Sequence, residues 1–366
     1  GERRKILEVV VEAASEDSFE KFKVADPKDM ERDKIIEVLK ESGLWPMFRQ
    51  RPYDIIANSS KSPKAIFISG FDSSPLAPDI DFIVKDFQQE FQKGIDVISR
   101  LTEGKVHLSV NADYPPSKTY SEAKGVELHQ FSGPHPAGNP GIQIHHIDPV
   151  NKGEYVWYIR PQDVIGIGKF FTDGQIDNST VVALTGSEVK KPVYYKMIRG
   201  AAVSSILSDN VNEGNLRIIS GNVLTGEALT KVGHLGFYDH MVTVIPEGDY
   251  YEFLGWALPG FDKFSHSRTF FSWLRPNKEF RLDTNLHGGT RAFVMSGEYD
   301  KVFPMDILPV HLLKAILVED IDKMEQLGIY EVAEEDMALC EFVCTSKTEV
   351  QKILRSGLDL MKKETE

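Results

Sequence analysis

Short apolar runs alternate with amphipathic stretches through the first half of the chain. The runs 64–69 and 106–110 are compact and apolar, as is typical of buried strands in a parallel sheet. Between them, 82–101 repeats apolar residues at helical spacing. Further elements are predicted as strands at 126–131, 156–159 and 180–185 and a helix at 161–171. This alternation predicts an α/β domain with a Rossmann-like, mostly parallel sheet covered by helices on both faces.

The pattern is different at the amino-terminal end. Residues 5–13 have the composition of a single strand, which either joins a later sheet or is the remnant of a preceding domain. We favour the remnant. The acidic stretch 29–42 then predicts a helix that ends at Gly43, a residue type that is common just after the last helical turn.

Beyond residue 186 the pattern indicates a small β-rich module and then a helical tail. The module's predicted elements are strands at 193–199 and 216–220, a helix at 201–207 and a strand pair around Gly248. An extended tract rich in aromatic residues and glycine covers 254–295, and an acidic helical tail follows from Met305. The tail's predicted buried face consists of Leu308, Val310, Leu312, Leu313, Ile316 and Leu317. The predicted domains are 1–24, 25–186, 187–260 and 261–366.

Length, charge and cysteine content exclude several classes of function. A chain of 366 residues favours two or three domains, and its net charge of -13 argues against a nucleic-acid partner. No apolar run approaches the roughly 18 residues of a membrane helix, so we expect no direct membrane span. Two cysteines give no disulfide framework and favour a reducing cytoplasm.

The segment 131–150 has the most unusual composition of the chain. Three prolines and three glycines stand between Gly133 and Gly141, which predicts a rigid loop that carries His135. An alternating, strand-like segment follows and ends in His145, His146 and Asp148. These side chains allow a metal site, hydrogen bonds that hold the loop, or polar contacts to a ligand. Because adjacent residues of a strand point to opposite faces, at most one of the paired histidines could join His135 at a metal, and we predict no metal site.

This segment also resembles a signature of the A subunit of the Na+-translocating NADH:quinone oxidoreductase family. Further matches are 42–45, Arg51 with Pro52, 101–106, 162–165, 217–221, 224–226, 254–256, 304–306, and Glu335 with Asp336. The resemblance implies an α/β Rossmann-like domain, a small SLBB (β-grasp-like) domain and a helical C-terminal domain. It also implies a preceding barrel-sandwich domain whose last strand resembles 5–13.

The family's complex is a bacterial respiratory translocase that oxidises NADH, reduces ubiquinone or menaquinone and exports sodium. By resemblance, this chain is a peripheral subunit on the cytoplasmic face of the inner membrane, held there by other subunits of the complex, including membrane subunits. It is associated with quinone reduction within that enzyme, and we expect the isolated chain to be inactive.

The chain differs from more distant relatives of the family at the two places where those relatives bind redox groups. The family is similar to the flavin-binding subunit of complex I and to the C subunit of the Rnf complex, which cradle flavin phosphate in a glycine-rich loop. The corresponding stretch 43–52 has one glycine, while Trp45 and Phe48 fill the space. Those relatives also hold an iron–sulfur cluster with four cysteines, whereas only Cys340 and Cys344 are present here. We therefore predict that FMN and the cluster are absent, that no cofactor is tightly bound and that no residue is catalytic.

The predicted quinone contacts combine the loop's polar groups with nearby aromatic rings. The candidates are His135, His145, His146, Asp148, Trp45 and Phe131. An alternative function is a non-catalytic assembly or docking scaffold that kept a flavoprotein fold; an independent flavoenzyme is the least favoured hypothesis. The acidic tail and the tract 270–274 are candidate docking surfaces, with an ordinary solvated face and an ordinary core as the alternative.

Overall fold

The computed structural model describes residues 9–12 and 20–365. The predicted strand 5–13 lies mostly outside these residues, and its described part, 9–12, is exposed and forms no strand. The helix predicted at 29–42 is confirmed as α1 (Arg32–Glu41). It ends at Ser42, and Gly43 follows with a φ of 73°, a left-handed conformation that glycine adopts without strain.

A six-stranded sheet forms the first unit and confirms the predicted α/β class. Its strands are β1 (Arg49–Arg51), β2 (Ile55–Ile56), β3 (Ala65–Ser69), β4 (Lys105–Asn111), β5 (Glu127–Phe131) and β6 (Val156–Ile159). Their order is β2-β1-β6-β3-β4-β5. The four strands β6, β3, β4 and β5 are parallel, and the short pair β1 and β2 is antiparallel.

Besides α1, whose apolar face lies in the same core, this unit contains α2 (Ile80–Val84), α3 (Gln88–Ile98), α4 (Lys118–Ser121), α5 (Pro140–Ile147) and α6 (Pro161–Asp173). The stretch 82–101, predicted as one helix, is interrupted, so that α2 and α3 are separate. On one face of the sheet, α3 and α6 approach closely because glycine occupies the contact. A Cβ atom at Gly168 would lie 1.8 Å from the carbonyl oxygen of Glu90, which no side chain permits.

The prediction of a strand before Asp148 is wrong, because the segment forms the helix α5. Pro140 opens the helix at its first position, where a missing N–H costs nothing. The helix is buried on two sides: Ile142 packs into the C-terminal helical core and Ile144 packs against the sheet. Two-sided burial removes the helical period from the sequence, so the apolar residues alternate as they would in a strand.

A second, five-stranded sheet forms the β-rich unit. Its elements are β7 (Ser179–Thr185), β8 (Val193–Ile198), the short helix α7 (Ser204–Leu207), β9 (Leu216–Ser220), β10 (Glu227–Leu229) and β11 (Met241–Pro246). The order is β10-β9-β11-β7-β8. The strand predicted at 180–185 was assigned to the first sheet, but it pairs with β8 and β11 in the second. A buried apolar run predicts that a strand forms, but it does not indicate which sheet the strand joins.

The C-terminal unit is helical. It consists of α8 (Pro309–Leu317), α9 (Ile321–Gln326), α10 (Ala338–Val343) and α11 (Val350–Thr365). Within its predicted buried face, Val310, Leu312, Leu313 and Ile316 are buried, whereas Leu308 and Leu317 are exposed. The tract 247–298, all of it described, precedes these helices and forms no strand or α-helix, only the 3-10 turn Phe271–Leu274.

Candidate functional site

A large concavity lies at the carboxyl edge of the first sheet. Along the chain, β3, β4 and β5 extend the sheet in one direction, and β6 then returns to the other side of β3. Open α/β sheets bind ligands in the crevice outside such a reversal. Here a cavity of about 660 Å³ lies at that point, with Phe71 and Asp72 after β3 and Arg160 after β6 in its wall.

All three units contribute to the cavity wall. Opposite the first sheet, the second unit supplies Phe237, Tyr238 and His240, and the C-terminal unit supplies Glu335. The guanidinium of Arg49 lies 4.6 Å from the ring centroid of Tyr238, a cation–π contact that joins the first two units. The cavity is therefore a product of how the units pack, and no single stretch of sequence encodes it.

A buried ion cluster forms one end of the cavity. The Arg51 side chain is fully buried, and its Nη2 atom lies 2.9 Å from Glu335 Oε1 and 3.3 Å from Asp336 Oδ2. Its Nη1 atom lies 3.9 Å from Asp54 Oδ1. Tyr158 donates its hydroxyl proton to Asp54. One guanidinium thus faces three carboxyl groups, an arrangement that disfavours full ionisation of all three.

The pKa values in the cluster diverge accordingly. Burial alone would raise the pKa of Asp54, but the charges of Arg51 and Arg49 outweigh it and lower that pKa. Burial, followed by the charge of Asp336, raises the pKa of Glu335 to about 8. Burial also raises the pKa of Asp336. The cluster therefore holds a proton near neutral pH, at the wall of the cavity.

The proline- and glycine-rich loop is shaped around this cluster. Asn139 Nδ2 donates a hydrogen bond of 3.0 Å to the carbonyl oxygen of Glu335. A Cβ atom at Gly141 would lie 2.2 Å from Asp336 Oδ2, so only glycine leaves room for that carboxylate. Sequence reasoning missed the cluster, although Arg51, Glu335 and Asp336 were all among the matched motifs. The sequence feature that could have indicated the cluster is that two short motifs, far apart in the chain, both contain charged residues.

Among the predicted ligand contacts, His135 is the one in the cavity wall. Its Nδ1 atom lies 3.0 Å from Ser73 Oγ, and the same hydroxyl accepts a 2.8 Å hydrogen bond from the Gly138 amide. Burial lowers the pKa of His135, which favours the neutral ring. The histidine both holds the loop and faces the cavity.

The paired histidines are outside the cavity wall and join α5 to the C-terminal unit. His145 Nδ1 lies 2.7 Å from Glu331 Oε2, while its Nε2 accepts a 3.0 Å hydrogen bond from the Asp306 amide. His146 Nε2 lies 3.0 Å from the carbonyl oxygen of Pro304. Both rings stand in the last turn of a helix, so they are not directed to opposite faces as they would be in a strand.

The other three candidates are also outside the cavity wall. Asp148 accepts a 2.8 Å hydrogen bond from Lys64 Nζ at the opposite edge of the sheet. Trp45 is buried in the core, and its Nε1 donates 2.8 Å to the carbonyl oxygen of Ala57. Phe131 is half-buried at the end of β5. The structure thus brings His135 to the cavity and leaves the remaining candidates elsewhere.

Comparison with known proteins assigns the family. Residues 30–176 match the family model "NqrA second alpha/beta domain", and 181–231 match "NQRA C-terminal domain", an SLBB-type model. The A subunit of the Na(+)-translocating NADH-quinone reductase from Rhodopirellula baltica is 41% identical over 100% of this chain and 81% of its own length. Its Pasteurella multocida counterpart is 40% identical over 100% and 82%. The chain belongs to the NqrA family, the A subunits of Na(+)-translocating NADH-quinone reductases.

Solved structures give a weaker likeness. An NAD+-reducing [NiFe]-hydrogenase chain in the air-oxidized state aligns with a TM-score of 0.47 and 11% identity, over 92% of this chain and 61% of its own length. Such a likeness supports no functional conclusion. Within the described residues of this NqrA family member, no helix combines the length and hydropathy needed to cross a bilayer.

Two places bear on redox groups in this NqrA family member. The stretch 43–52 forms a 3-10 turn and β1, with Trp45 and Phe48 packed into the core beside Trp157. Bulky aromatic side chains therefore fill the core at this point. Cys340 and Cys344 are both buried, and Tyr299 Oη donates a 3.0 Å hydrogen bond to Cys344 Sγ.

Proposed function

We propose that this chain is the peripheral subunit of a sodium-pumping NADH:quinone oxidoreductase that receives a quinone headgroup in the cavity at the sheet reversal. One observation carries the proposal. Ser74 and His240 line the cavity, and their atoms Ser74 Oγ and His240 Nδ1 are buried and, among the described residues, have no hydrogen-bond partner. Buried polar atoms are normally paired, so two unpaired atoms on residues that line one cavity are a reason to expect a polar ligand there.

Asp72 organises both of these atoms. Its Oδ1 accepts a 2.7 Å hydrogen bond from the Ser74 amide, and its Oδ2 lies 2.9 Å from His240 Nε2. Burial alone would raise the pKa of Asp72, but the contacts with His240 and Ser74 lower it, so the carboxylate stays ionised. An ionised Asp72 fixes the His240 ring and leaves Nδ1 directed elsewhere. The Ser74 hydroxyl can then donate a hydrogen bond to a quinone carbonyl, while His240 Nδ1 can accept one from a quinol hydroxyl.

The remaining wall suits a neutral, planar ligand. Phe71, Phe237 and Tyr238 offer aromatic surface for a ring. The wall carries more carboxyl groups than cations, which disfavours the phosphate of a flavin nucleotide. Quinone reduction consumes two electrons and two protons. In this proposal the electrons come from partner subunits, and Glu335, whose raised pKa keeps it protonated near neutral pH, is a proton store beside the ligand.

We also propose that no redox group resides in this chain and that it has a fixed place in the complex. The packed core at Trp45 and the presence of only two cysteines support the absence of FMN and of an iron–sulfur cluster. We infer attachment to the cytoplasmic face of the bacterial inner membrane through other subunits, including membrane subunits.

A docking scaffold is the second candidate function, and one observation favours it. The tract 247–298 exposes large apolar side chains, with exposed fractions of 103% for Tyr251, 91% for Phe253 and 77% for Trp256. Exposed aromatic clusters of this kind are typical of surfaces that bind partner proteins. Docking and quinone binding use different parts of the molecule, so one chain can do both.

Binding of a short-tailed ubiquinone to the chain tests the proposal, using isothermal titration calorimetry. Ser74→Ala removes a hydroxyl that has no hydrogen-bond partner within residues 9–12 and 20–365, so stability should not change. Loss of one hydrogen bond to the ligand should weaken binding by about 5-fold. Ser109→Ala is the matched control, because Ser109 Oγ is also buried and unpaired but lies outside the cavity wall. Absence of saturable binding, or equal effects of both variants, would leave the scaffold function alone.

A further inference from the structure

Two histidines and a glutamate meet on the outer part of the first sheet, away from the cavity. His107 Nδ1 lies 2.9 Å from His129 Nε2 and 3.6 Å from Glu127 Oε2. One ligand atom from each of the three side chains lies within 4.8 Å of the others, which makes this the one three-residue cluster of metal-ligand type among the described residues. Ligand atoms around a tetrahedral zinc ion lie roughly 3.3 Å apart, since each is about 2.0–2.2 Å from the metal.

The strand register produces the cluster. In the parallel pair β4 and β5, His107 is paired with Glu127, and His129 follows two residues further along β5. Residues two apart in a strand share a face, so all three side chains stand on the same side of the sheet. A ring stack of 4.7 Å between His107 and Phe67 fixes the buried imidazole from behind. The ligand set is therefore held by regular strands rather than by a loop.

The charges around the cluster suit a cation. The hydrogen bond between His107 Nδ1 and His129 Nε2 requires one of the two ring nitrogens to be unprotonated, and an unprotonated nitrogen is the form that binds metal. Glu127 forms an ion pair with Lys105. Lys105 Nζ lies 2.5 Å from Oε1 of that carboxylate, whereas His107 faces Oε2. The oxygen nearer the histidines is thus the one that the lysine leaves open.

Two further charges act on His107 from neighbouring parts of the fold. The charge of Asp148 favours its protonated form and that of Lys105 disfavours it. Asp148 is itself engaged by Lys64 Nζ at 2.8 Å. Neither group supplies a competing base within hydrogen-bond distance of the imidazoles, so a cation competes chiefly with the hydrogen bond between the two rings.

We propose that His107, Glu127 and His129 bind a divalent transition metal of the zinc class through two imidazole nitrogens and one carboxylate oxygen. Imidazole ligands select zinc, cobalt or nickel over magnesium and calcium, which prefer oxygen. Three protein ligands leave a fourth position for water or another group. The metal joins the edge strand β5 to β4. This site is independent of the quinone proposal and lies on a different part of the sheet.

Zinc titration of the chelator-treated full chain, in competition with a chromophoric zinc indicator, tests the site. We expect one zinc per chain with micromolar affinity or better. His129→Gln and Glu127→Gln, which alter half-buried and exposed side chains, should each weaken binding at least 10-fold. The control His287→Ala changes an exposed histidine far along the chain and should bind as the unmodified protein does.

A second measurement separates a binding site from a folding effect. Lys105→Met frees the remaining carboxylate oxygen, so it should strengthen zinc binding while circular dichroism stays unchanged. Cobalt bound in place of zinc should give the visible absorption of a four- or five-coordinate ion, and His129→Gln should abolish that absorption. Failure of the unmodified chain to bind one zinc, or equal binding by His129→Gln, would overturn the proposal and leave a hydrogen-bonded histidine pair.

Discussion

Removal of the buried guanidinium should be the most damaging single change near the cavity. In Arg51→Met, a side chain of similar length fills the same space without its charge. Glu335 and Asp336 would then face each other without the guanidinium that pairs with both, whereas Asp54 would keep Arg49, whose Nη2 lies 2.9 Å from Asp54 Oδ2. The unmodified protein places these groups 2.9–3.9 Å from the guanidinium, so the loss affects direct contacts.

The expected loss of stability in Arg51→Met follows from the burial of the charged side chains. Both Arg51 and Asp336 have side chains with 0% exposure, so water cannot replace the lost partner. Breaking a buried ion pair by removing one member costs about 3–5 kcal/mol. Without Arg51, burial and mutual repulsion raise the pKa of Glu335 and Asp336 further, and the folded variant binds more protons than its unfolded chain. Its stability should therefore rise as pH falls from about 8 to about 5.

Urea unfolding followed by tryptophan fluorescence measures this effect, because Trp45 and Trp157 lie in the core of the first unit. We expect the free energy of unfolding to fall by about 3–5 kcal/mol at pH 7.5 and by less at pH 5. Adding Asp336→Asn to Arg51→Met should recover part of the loss, because it removes one of the uncompensated charges. A loss below about 1 kcal/mol, or a loss that does not depend on pH, would refute the account of the cluster.

Three further outcomes are expected from other parts of the fold. Glu335 has a pKa raised from 4.5 to about 8, so its contribution to stability is complete below about pH 4.5 and is lost as pH rises through 8. Glu335→Gln should remove about 1–2 kcal/mol of that pH dependence, a value that is reduced because the side chain is 35% exposed. An unchanged curve of stability against pH would contradict the raised pKa of Glu335. Gly141→Ala should lower stability by about 1–3 kcal/mol in the same urea assay, because its Cβ meets Asp336, whereas a neutral effect would mean that the loop is not shaped around that carboxylate. Gly168→Ala should cost at least as much, because α3 and α6 must separate. Gly166→Ala is the control: it lies in the same helix and its Cβ meets nothing within 4 Å, so it should stabilise the protein by up to about 1 kcal/mol.

Local patterns predicted the four parallel strands and most helices of the first unit, but not the short strands β1 and β2. The strand runs around β3 and β4 are apolar because both faces of the sheet are covered, and that signal is visible without any tertiary information. The hydrophobic pattern gave the wrong element at α5, because burial on two sides removed the helical period of apolar residues. The pattern also gave the wrong sheet for β7, because the apolar composition of a buried strand does not indicate which sheet the strand joins.

The candidate site was harder to predict than the fold. Arg51 and Asp336 are separated by 285 residues, and a pairing over that distance leaves no spacing in the sequence. The rigid loop was correctly identified as unusual, but its contacts with the C-terminal unit were not predicted. Gly141 leaves room for the Asp336 carboxylate, and Asn139 donates a hydrogen bond to the carbonyl oxygen of Glu335. Its histidines were expected at a ligand, and only His135 lies in the cavity wall. A cavity built from three units cannot be derived from any one of them.

The most direct test of the central claim is photoaffinity labelling of the assembled complex with an azido-ubiquinone, followed by mass-spectrometric mapping of the labelled peptides. We expect label on this chain at residues of the cavity wall, such as Phe71 and Tyr238, and we expect excess unlabelled ubiquinone to prevent it. Label confined to the membrane subunits, or label on this chain only in the exposed tract 247–298, would contradict a quinone site at the sheet reversal.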